Sequence, residues 1–172
     1  AAMVARLTLG RKRYADVEAQ MQALIPQAEQ LRSRLTQLID EDAAAFDQVR
    51  AAYRLPKETA EQQTARQAAI QIALQAASRT PLETLAACLE TLRLLEQVAA
   101  AGNASAVTDA AVGGLLAQAG LQSAALNVRV NLAGIDDPLF VAASQQSVAA
   151  ALQEADTLQR RISASVEERM QS

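Results

Sequence analysis

Apolar residues recur every three or four positions along most of this chain, and polar residues fill the positions between them. This spacing is the pattern of amphipathic helices, whereas the strict alternation that marks a half-buried strand is not apparent. The prolines and most of the glycines fall between the periodic stretches, where they are expected to mark helix ends. The sequence therefore predicts an all-α fold, a bundle of about six helices that includes one long kinked helix.

The predicted helices cover, approximately, residues 1–9, 15–54, 58–78, 80–102, 105–132 and 136–170. Pro26 could kink the second of them, because proline removes a backbone hydrogen bond. A fourth helix is predicted to begin at Thr80-Pro81, since threonine is a good N-cap and proline is favoured at the first helical position. Gly102-Asn103 is a good stop signal for that helix.

The long second helix has an apolar stripe that a carboxylate interrupts. The stripe steps by four and three residues through Val17, Met21, Leu24, Ala28, Leu31, Leu35 and Leu38. Asp42 takes the next position, and the stripe resumes at Ala45 and Val49. Because an unpartnered buried carboxylate is costly, Asp42 is either part of an interhelical contact that fixes the packing or a catalytic or ligand-binding acid. Desolvation in an apolar groove would raise its pKa, which suits a group that moves protons near neutrality.

The predicted fifth helix carries the second informative pattern. Its interior glycines, Gly113, Gly114 and Gly120, each cost about 1 kcal/mol relative to alanine. Either close approach of another helix or a ligand lying against bare backbone must compensate for that cost. Asn127 and Asn131 follow on one face of the helix, where their amides could read the edge of a heterocycle or could be solvated or packing groups.

Helix geometry separates two pairs of candidate polar residues. Asp109 precedes Asn127 by five turns, so the two lie about 27 Å apart on a straight helix and cannot surround one small reactive centre within a chain. Asp42 and Lys57 are separated by about 20 Å if most of the intervening chain is helical. They belong to different sites, or a second protomer brings its Lys57 to the first protomer's Asp42; we favour the second arrangement.

The composition favours a helical core and removes several kinds of catalysis. Apolar residues make up 51% of the chain but aromatic residues only 2%, so the core must consist of Ala, Leu, Val and Ile. The chain has no histidine and a single cysteine, which excludes Ser-His and Cys-His pairs and a Cys/His zinc site within it. An all-carboxylate Mg²⁺ or Ca²⁺ site stays formally open. Cys88, on an apolar face, is expected to be a packed thiol.

The net charge and the length of the chain limit which partners the protein can have. A net charge of −3 without a basic stripe argues against nucleic acid. No apolar run reaches the roughly 18 residues of a membrane helix, the first residues do not resemble a signal peptide, and one unpaired cysteine agrees with a cytoplasmic location. The 172 residues fit one domain or a bundle completed by a second copy. We expect a homodimer that pairs apolar faces of the long helices.

Six segments of the chain, in order and at similar intervals, resemble the C-terminal domain of formiminotransferase-cyclodeaminases. They are residues 8–14 (TLGRKRY), 40–46 (DEDAAAF), 55–59 (LPKET), 102–103 (GN), 108–109 (TD) and 127–132 (NVRVNL). Stand-alone bacterial methenyltetrahydrofolate cyclohydrolases share the resemblance. It covers nearly the whole chain and implies that residues 1–172 form a single all-α, dimeric, cytoplasmic folate-binding domain.

The resemblance implies an enzyme that acts on a one-carbon unit carried by tetrahydrofolate. We favour formimidoyltetrahydrofolate cyclodeaminase, which releases ammonia and forms 5,10-methenyltetrahydrofolate; the alternative is the cyclohydrolase, which opens the methenyl bridge with water. Neither reaction needs a metal or another cofactor. A more remote alternative is a non-enzymatic helical oligomerisation module, which would leave Asp42 and the paired asparagines unexplained.

The resemblance also assigns roles to residues. Asp42 matches the family's active-site aspartate, and Lys57, Asp109, Asn127 and Asn131 match other motif positions as substrate-orienting groups. The sequence departs from the family pattern in two places. The family usually has a Gly-rich, Ser-containing loop before the first helix, and this sequence begins after that loop. Thr108 takes the place of a more usual Ser.

The basic segment that follows the first helix has two interpretations. We predict that Arg11, Lys12 and Arg13 lie near the site entrance and attract the glutamate tail of the folate. Alternatively, they are a solvated helix end, because basic residues are common there.

Overall fold

The computed structural model describes residues 1–171, which form five α-helices and two short 3₁₀-helices and contain no strand. The α-helices are α1 (Ala2–Thr8), α2 (Glu18–Tyr53), α3 (Ala60–Ala101), α4 (Val107–Leu132) and α5 (Pro138–Gln171). The 3₁₀-helices, Lys12–Val17 and Ala104–Ala106, precede α2 and α4. The all-α prediction is confirmed. No helix within residues 1–171 is long and apolar enough to cross a membrane.

The predicted break at Thr80-Pro81 is wrong, because α3 continues through it and Pro81 lies in the helix interior. The helix begins at Ala60, close to the start predicted at residue 58, and Thr59 is its N-cap: the Thr59 hydroxyl accepts a hydrogen bond from the Gln62 N–H, and Gln62 Oε1 accepts one from the Thr59 N–H. Apolar side chains on α3 are buried on both sides of the proline, from Ile70 to Val98. That burial outweighs the roughly 3 kcal/mol cost of an interior proline. Five α-helices thus replace the predicted six.

The helix α3 lies at the centre of the bundle. It packs against α2, α4 and α5, and α4 packs in addition against α5. The largest fully buried side chains are Met21, Leu92, Leu95, Leu121 and Ile162, and none of the aromatic residues is buried. The prediction of an aliphatic core is confirmed. The stripe on α2 from Val17 to Leu38 is buried or half-buried, as its spacing predicts.

Two of the three interior glycines of α4 permit close helix packing. A Cβ built on Gly113 would lie 2.9 Å from Leu95 Cδ2 of α3, and one on Gly114 would lie 2.6 Å from Gln159 Oε1 of α5. The third, Gly120, would place a Cβ 3.1 Å from the sulfur of Cys88. Cys88 is buried, as predicted, and desolvation raises the pKa of its thiol.

The Gly102-Asn103 turn ties the N-terminal helix to the bundle. The Asn103 N–H donates to Thr8 Oγ1 at 2.8 Å, and its side-chain Nδ2 donates to the Leu7 carbonyl at 2.9 Å. Asn103 Oδ1 accepts from the Ser105 N–H at 3.0 Å. The Gly102 carbonyl accepts a hydrogen bond from the Arg169 guanidinium near the end of α5. The turn therefore connects both ends of the chain to the centre of the fold.

We predict that Gly102→Ala destabilises the protein by about 1–3 kcal/mol. A Cβ at this position would lie 2.6 Å from the Val98 carbonyl oxygen and 2.9 Å from Val4 Cγ1. The carbonyl cannot move freely, because it accepts the hydrogen bond from the Gly102 N–H that ends α3. Thermal denaturation measures the effect, with Ser105→Ala, an exposed change in the same turn, as the control. Equal melting temperatures for wild type and Gly102→Ala would contradict the prediction.

Candidate functional site

An open groove runs over the middle of α3, between α2 and α4. The two flanking helices make few contacts with each other, so α3 forms the floor of the groove. Asp42 of α2 and Asn127 of α4 line both of two adjoining cavities in the groove, of about 370 and 270 Å³. Two residues that the sequence singled out separately are therefore brought together by the fold.

The two cavities differ in their remaining lining. The larger is completed by Leu35, Leu38, Ile39, Pro81, Thr84, Gly120, Ser123 and Ala124. The smaller is completed by Phe46, Val49, Ala77, Val130 and Asn131. Apolar walls with a few polar groups are typical of small-molecule sites, and here the polar groups are one carboxylate, two amides and two hydroxyls.

Several lining residues are not among those that the sequence predicts for the site, including Ser123, Pro81 and Thr84. Ser123 lies one turn before Asn127 on the same face of α4, so helical spacing alone could have identified it. Pro81 was interpreted as the start of a helix. Thr84 joins the site only through packing between helices, and no spacing in the sequence indicates it.

A single chain does not bury Asp42. Its side chain is exposed, whereas its place on the apolar stripe predicted a carboxylate enclosed by the bundle. The reason is the groove itself, because the space that a packed helix would fill opposite Asp42 is open. The structure does not support Asp42 as an interhelical packing contact either, because no ion pair or side-chain hydrogen bond within residues 1–171 involves it.

The paired asparagines of α4 have different environments. Asn131 is half-buried, and its Nδ2 donates a 3.0 Å hydrogen bond to the Ala77 carbonyl of α3. Asn127 is exposed at the junction of the two cavities. Asn131 is therefore a packing amide that also lines the groove, and Asn127 is available to a ligand.

Lys57 and Asp109 do not line the groove. Lys57 lies in the exposed turn after α2, and its backbone carbonyl accepts a hydrogen bond from the Gln63 side chain. Asp109 lies in the first turn of α4, and because that helix is continuous to Leu132 it stays about 27 Å from Asn127. Their predicted roles in orienting substrate stay predictions.

The basic segment lies at the end of α1 and does not line the groove. Arg11 Nε donates a 2.9 Å hydrogen bond to the Leu7 carbonyl in the last turn of the helix, and the same carbonyl also accepts from Asn103 Nδ2. Arg11 and Lys12 are both exposed. Within residues 1–171, no three His, Cys, Asp or Glu side chains are grouped closely enough to share a metal ion.

Comparisons with known proteins agree on one family. A sequence model described as formiminotransferase-cyclodeaminase matches residues 1–150. A methenyltetrahydrofolate cyclohydrolase of Methylorubrum extorquens is 45% identical over 160 residues, which cover 93% of this chain and 77% of that protein. A formimidoyltransferase-cyclodeaminase of Sus scrofa is 34% identical over 91% of this chain, but the matched region is only 29% of the pig protein.

A solved structure has the same fold. The formiminotetrahydrofolate cyclodeaminase of Thermotoga maritima superposes with a TM-score of 0.86 at 26% sequence identity, covering 97% of this chain and 79% of that one. The resemblance that the six sequence segments indicated is thus confirmed by sequence and by structure. This chain belongs to the formiminotransferase-cyclodeaminase family of folate one-carbon enzymes.

Proposed function

We propose that this chain is a methenyltetrahydrofolate cyclohydrolase, which adds water to the methenyl bridge of 5,10-methenyltetrahydrofolate and opens it to formyltetrahydrofolate. The observation that carries the proposal is the 45% identity to a cyclohydrolase, over 93% of this chain and 77% of that enzyme. From the sequence alone, we favour the cyclodeaminase. The change of preference rests on that relative, because the groove residues alone suit either reaction.

The groove offers the groups that such a hydrolysis requires. Asp42, as a carboxylate, would lie beside the cationic methenyl carbon, accept a proton from the attacking water and return it to the nitrogen that leaves. A carbon–oxygen bond forms, a carbon–nitrogen bond of the bridge breaks, and one proton is released overall, since a cation becomes a neutral formyl group. A bound folate would also displace water from the open groove, which strengthens the attraction between carboxylate and cation.

The second candidate is formimidoyltetrahydrofolate cyclodeaminase. The match to the family model and the structural similarity to the Thermotoga maritima cyclodeaminase support it. In that reaction the aminobenzoyl nitrogen attacks the formimino carbon, ammonia leaves, and the methenyl ring closes. The same carboxylate would take the proton from the attacking nitrogen and give one to ammonia.

One experiment separates the two reactions. The full-length protein is incubated with 5,10-methenyltetrahydrofolate and, separately, with 5-formiminotetrahydrofolate, while the methenyl absorbance is followed against protein-free samples. The cyclohydrolase makes the absorbance of the first sample fall faster than in buffer. The cyclodeaminase makes absorbance appear in the second sample together with ammonia. If neither absorbance changes relative to buffer, both proposals are wrong.

We also propose that the enzyme is a homodimer that pairs through α4. One apolar stripe of this helix is 55–73% exposed. Its members follow helical spacing and are Val112, Leu116, Leu126 and Val130. The stripe positions between them, Ala119 and Ser123, are also uncharged. Because the stripe carries no charge, it cannot form ion pairs with a charged partner. It can pack against the same stripe of a second copy about a two-fold axis.

The position of the stripe links the dimer to the site. Val130 belongs to the stripe and also lines the smaller cavity beside Asp42 and Asn127. A second chain on α4 would therefore border the open groove. We propose that this chain supplies its Lys57 to the site, since Lys57 of the same chain lies beyond the end of α2, more than about 16 Å from Asp42.

We predict that reversing the charges of Arg11 and Lys12 weakens binding of polyglutamylated folate more than that of the monoglutamate. The two side chains are exposed and can attract the additional carboxylates of the long tail. The difference should grow at low salt, where screening is weaker. Titrations of both folates with wild type and with Arg11→Glu/Lys12→Glu measure it, and Arg160→Glu/Arg161→Glu on α5 is a control of equal charge change. An equal loss of affinity for the two tail lengths would show that the segment only ends a helix.

A further inference from the structure

Pro81 leaves a backbone carbonyl of α3 without its helical donor. Proline has no N–H, so the carbonyl of Ala77, four residues earlier, cannot make the usual helix bond. Pro26 creates the same gap at Gln22 of α2, but Gln22 is exposed and water can satisfy its carbonyl. Ala77 is buried, so its carbonyl needs a donor from the protein.

Asn131 supplies that donor from the neighbouring helix. Its Nδ2 lies 3.0 Å from the Ala77 carbonyl oxygen. A carbonyl can only accept a hydrogen bond, so the NH₂ end of the Asn131 amide faces Ala77. The oxygen end, Oδ1, takes no part in this contact. No group within residues 1–171 donates to the remaining Asn131 Oδ1. Ala77 and Asn131 both line the smaller cavity, beside Asp42 and Asn127.

We propose that Pro81 and Asn131 together form a fixed hydrogen-bond acceptor for the folate. The proline removes one donor from α3, Asn131 replaces it, and the replacement holds the Asn131 oxygen as an acceptor for an N–H group of the ligand. The pterin ring of tetrahydrofolate carries such donors on its amino group and ring nitrogens, so the acceptor would recognise the ring rather than the reacting carbon. This assignment of the ligand rests on the proposed function.

The first half of the proposal is tested by the melting temperature in a double-mutant cycle. Asn131→Leu, which keeps the size of the side chain, leaves the buried carbonyl unpaired and should lower the melting temperature by roughly 2–10 °C. Pro81→Ala restores the backbone N–H and should melt at or above wild type. In the Pro81→Ala background, Asn131→Leu should then lower the melting temperature by less than about 2 °C. Equal losses in both backgrounds would overturn the idea that Asn131 replaces the donor missing at Pro81.

The second half is tested in the same background, where Ala77 no longer depends on Asn131. Tetrahydrofolate itself is the probe, titrated by calorimetry into Pro81→Ala and into Pro81→Ala/Asn131→Leu. Loss of the acceptor should weaken binding by about tenfold although the melting temperature barely changes, a combination that a purely structural asparagine would not produce. Unchanged affinity would overturn the assignment of Asn131 Oδ1 to the ligand.

Asn127→Ala serves as the matched control. It removes the other amide of the groove, which is exposed and is not the donor to the Ala77 carbonyl, so its effect on the melting temperature should be the same in the wild-type protein and in the Pro81→Ala background. The binding titration is independent of turnover. A protein that binds tetrahydrofolate but leaves methenyltetrahydrofolate unchanged would contradict the proposed hydrolysis and leave the proline–asparagine acceptor supported.

Discussion

Asp42→Asn should lower turnover by roughly 10² to 10⁴, the usual range for a group that moves protons in catalysis. Such a loss corresponds to about 3–5 kcal/mol of barrier. The amide keeps the shape of the carboxyl group and most of its hydrogen bonding but cannot carry the proton between water and the leaving nitrogen. Asp42 is exposed, so the substitution should change the free energy of unfolding by no more than about 0.5 kcal/mol. Affinity for tetrahydrofolate, which lacks the methenyl cation, should change little.

The neighbouring Asp40 provides the control. It is also an exposed carboxylate on α2, but it is rotated about 200° from Asp42 and does not line either cavity. Asp40→Asn changes the net charge equally and should leave turnover near wild type. Steady-state kinetics and thermal denaturation of both variants separate chemistry from packing. A fully active Asp42→Asn protein with a lowered melting temperature would end the catalytic assignment.

The sequence predicted the central residues of the groove for a physical reason. A carboxylate on an apolar stripe marks a place where ordinary packing stops, and the groove opens at that place. Helical spacing likewise put Asn127 and Asn131 on one face of α4, and both line the cavity. Such predictions need only the period of a single helix, so they succeed before the arrangement of helices is known.

The incorrect predictions have a common cause, which is the packing between helices. Thr80-Pro81 has the local features of a helix start, but the buried face of α3 on both sides keeps the helix intact. Pro81 then becomes a floor residue of the groove, and Thr84 joins it one turn later. The exposure of Asp42 could not be predicted because it depends on how far apart α2 and α4 lie on α3. Helix periodicity reports which face is apolar but not which neighbour covers it.

Substitution of the exposed stripe should show whether the active site needs two chains. Leu116→Glu places a charge on the proposed α4 pairing surface, where burying it against the apolar stripe of a second chain without a partner is costly. We expect the variant to sediment as a monomer at concentrations where wild type is a dimer. Leu116 is 70% exposed and does not line either cavity, so the single chain should still fold.

Turnover of the Leu116→Glu protein should fall by about 10²-fold or more, since loss of a positioned group from the partner subunit would leave the folate poorly oriented. Ile72→Glu is the matched control, because Ile72 is 71% exposed, belongs to α3 and not to the α4 stripe, and the substitution adds the same charge. It should remain dimeric and active. A monomeric wild type at high micromolar concentration would contradict the dimer. A monomeric Leu116→Glu protein with full activity would show instead that Asp42, Asn127 and the rest of the groove suffice within one chain, and that Lys57 of a partner is not required.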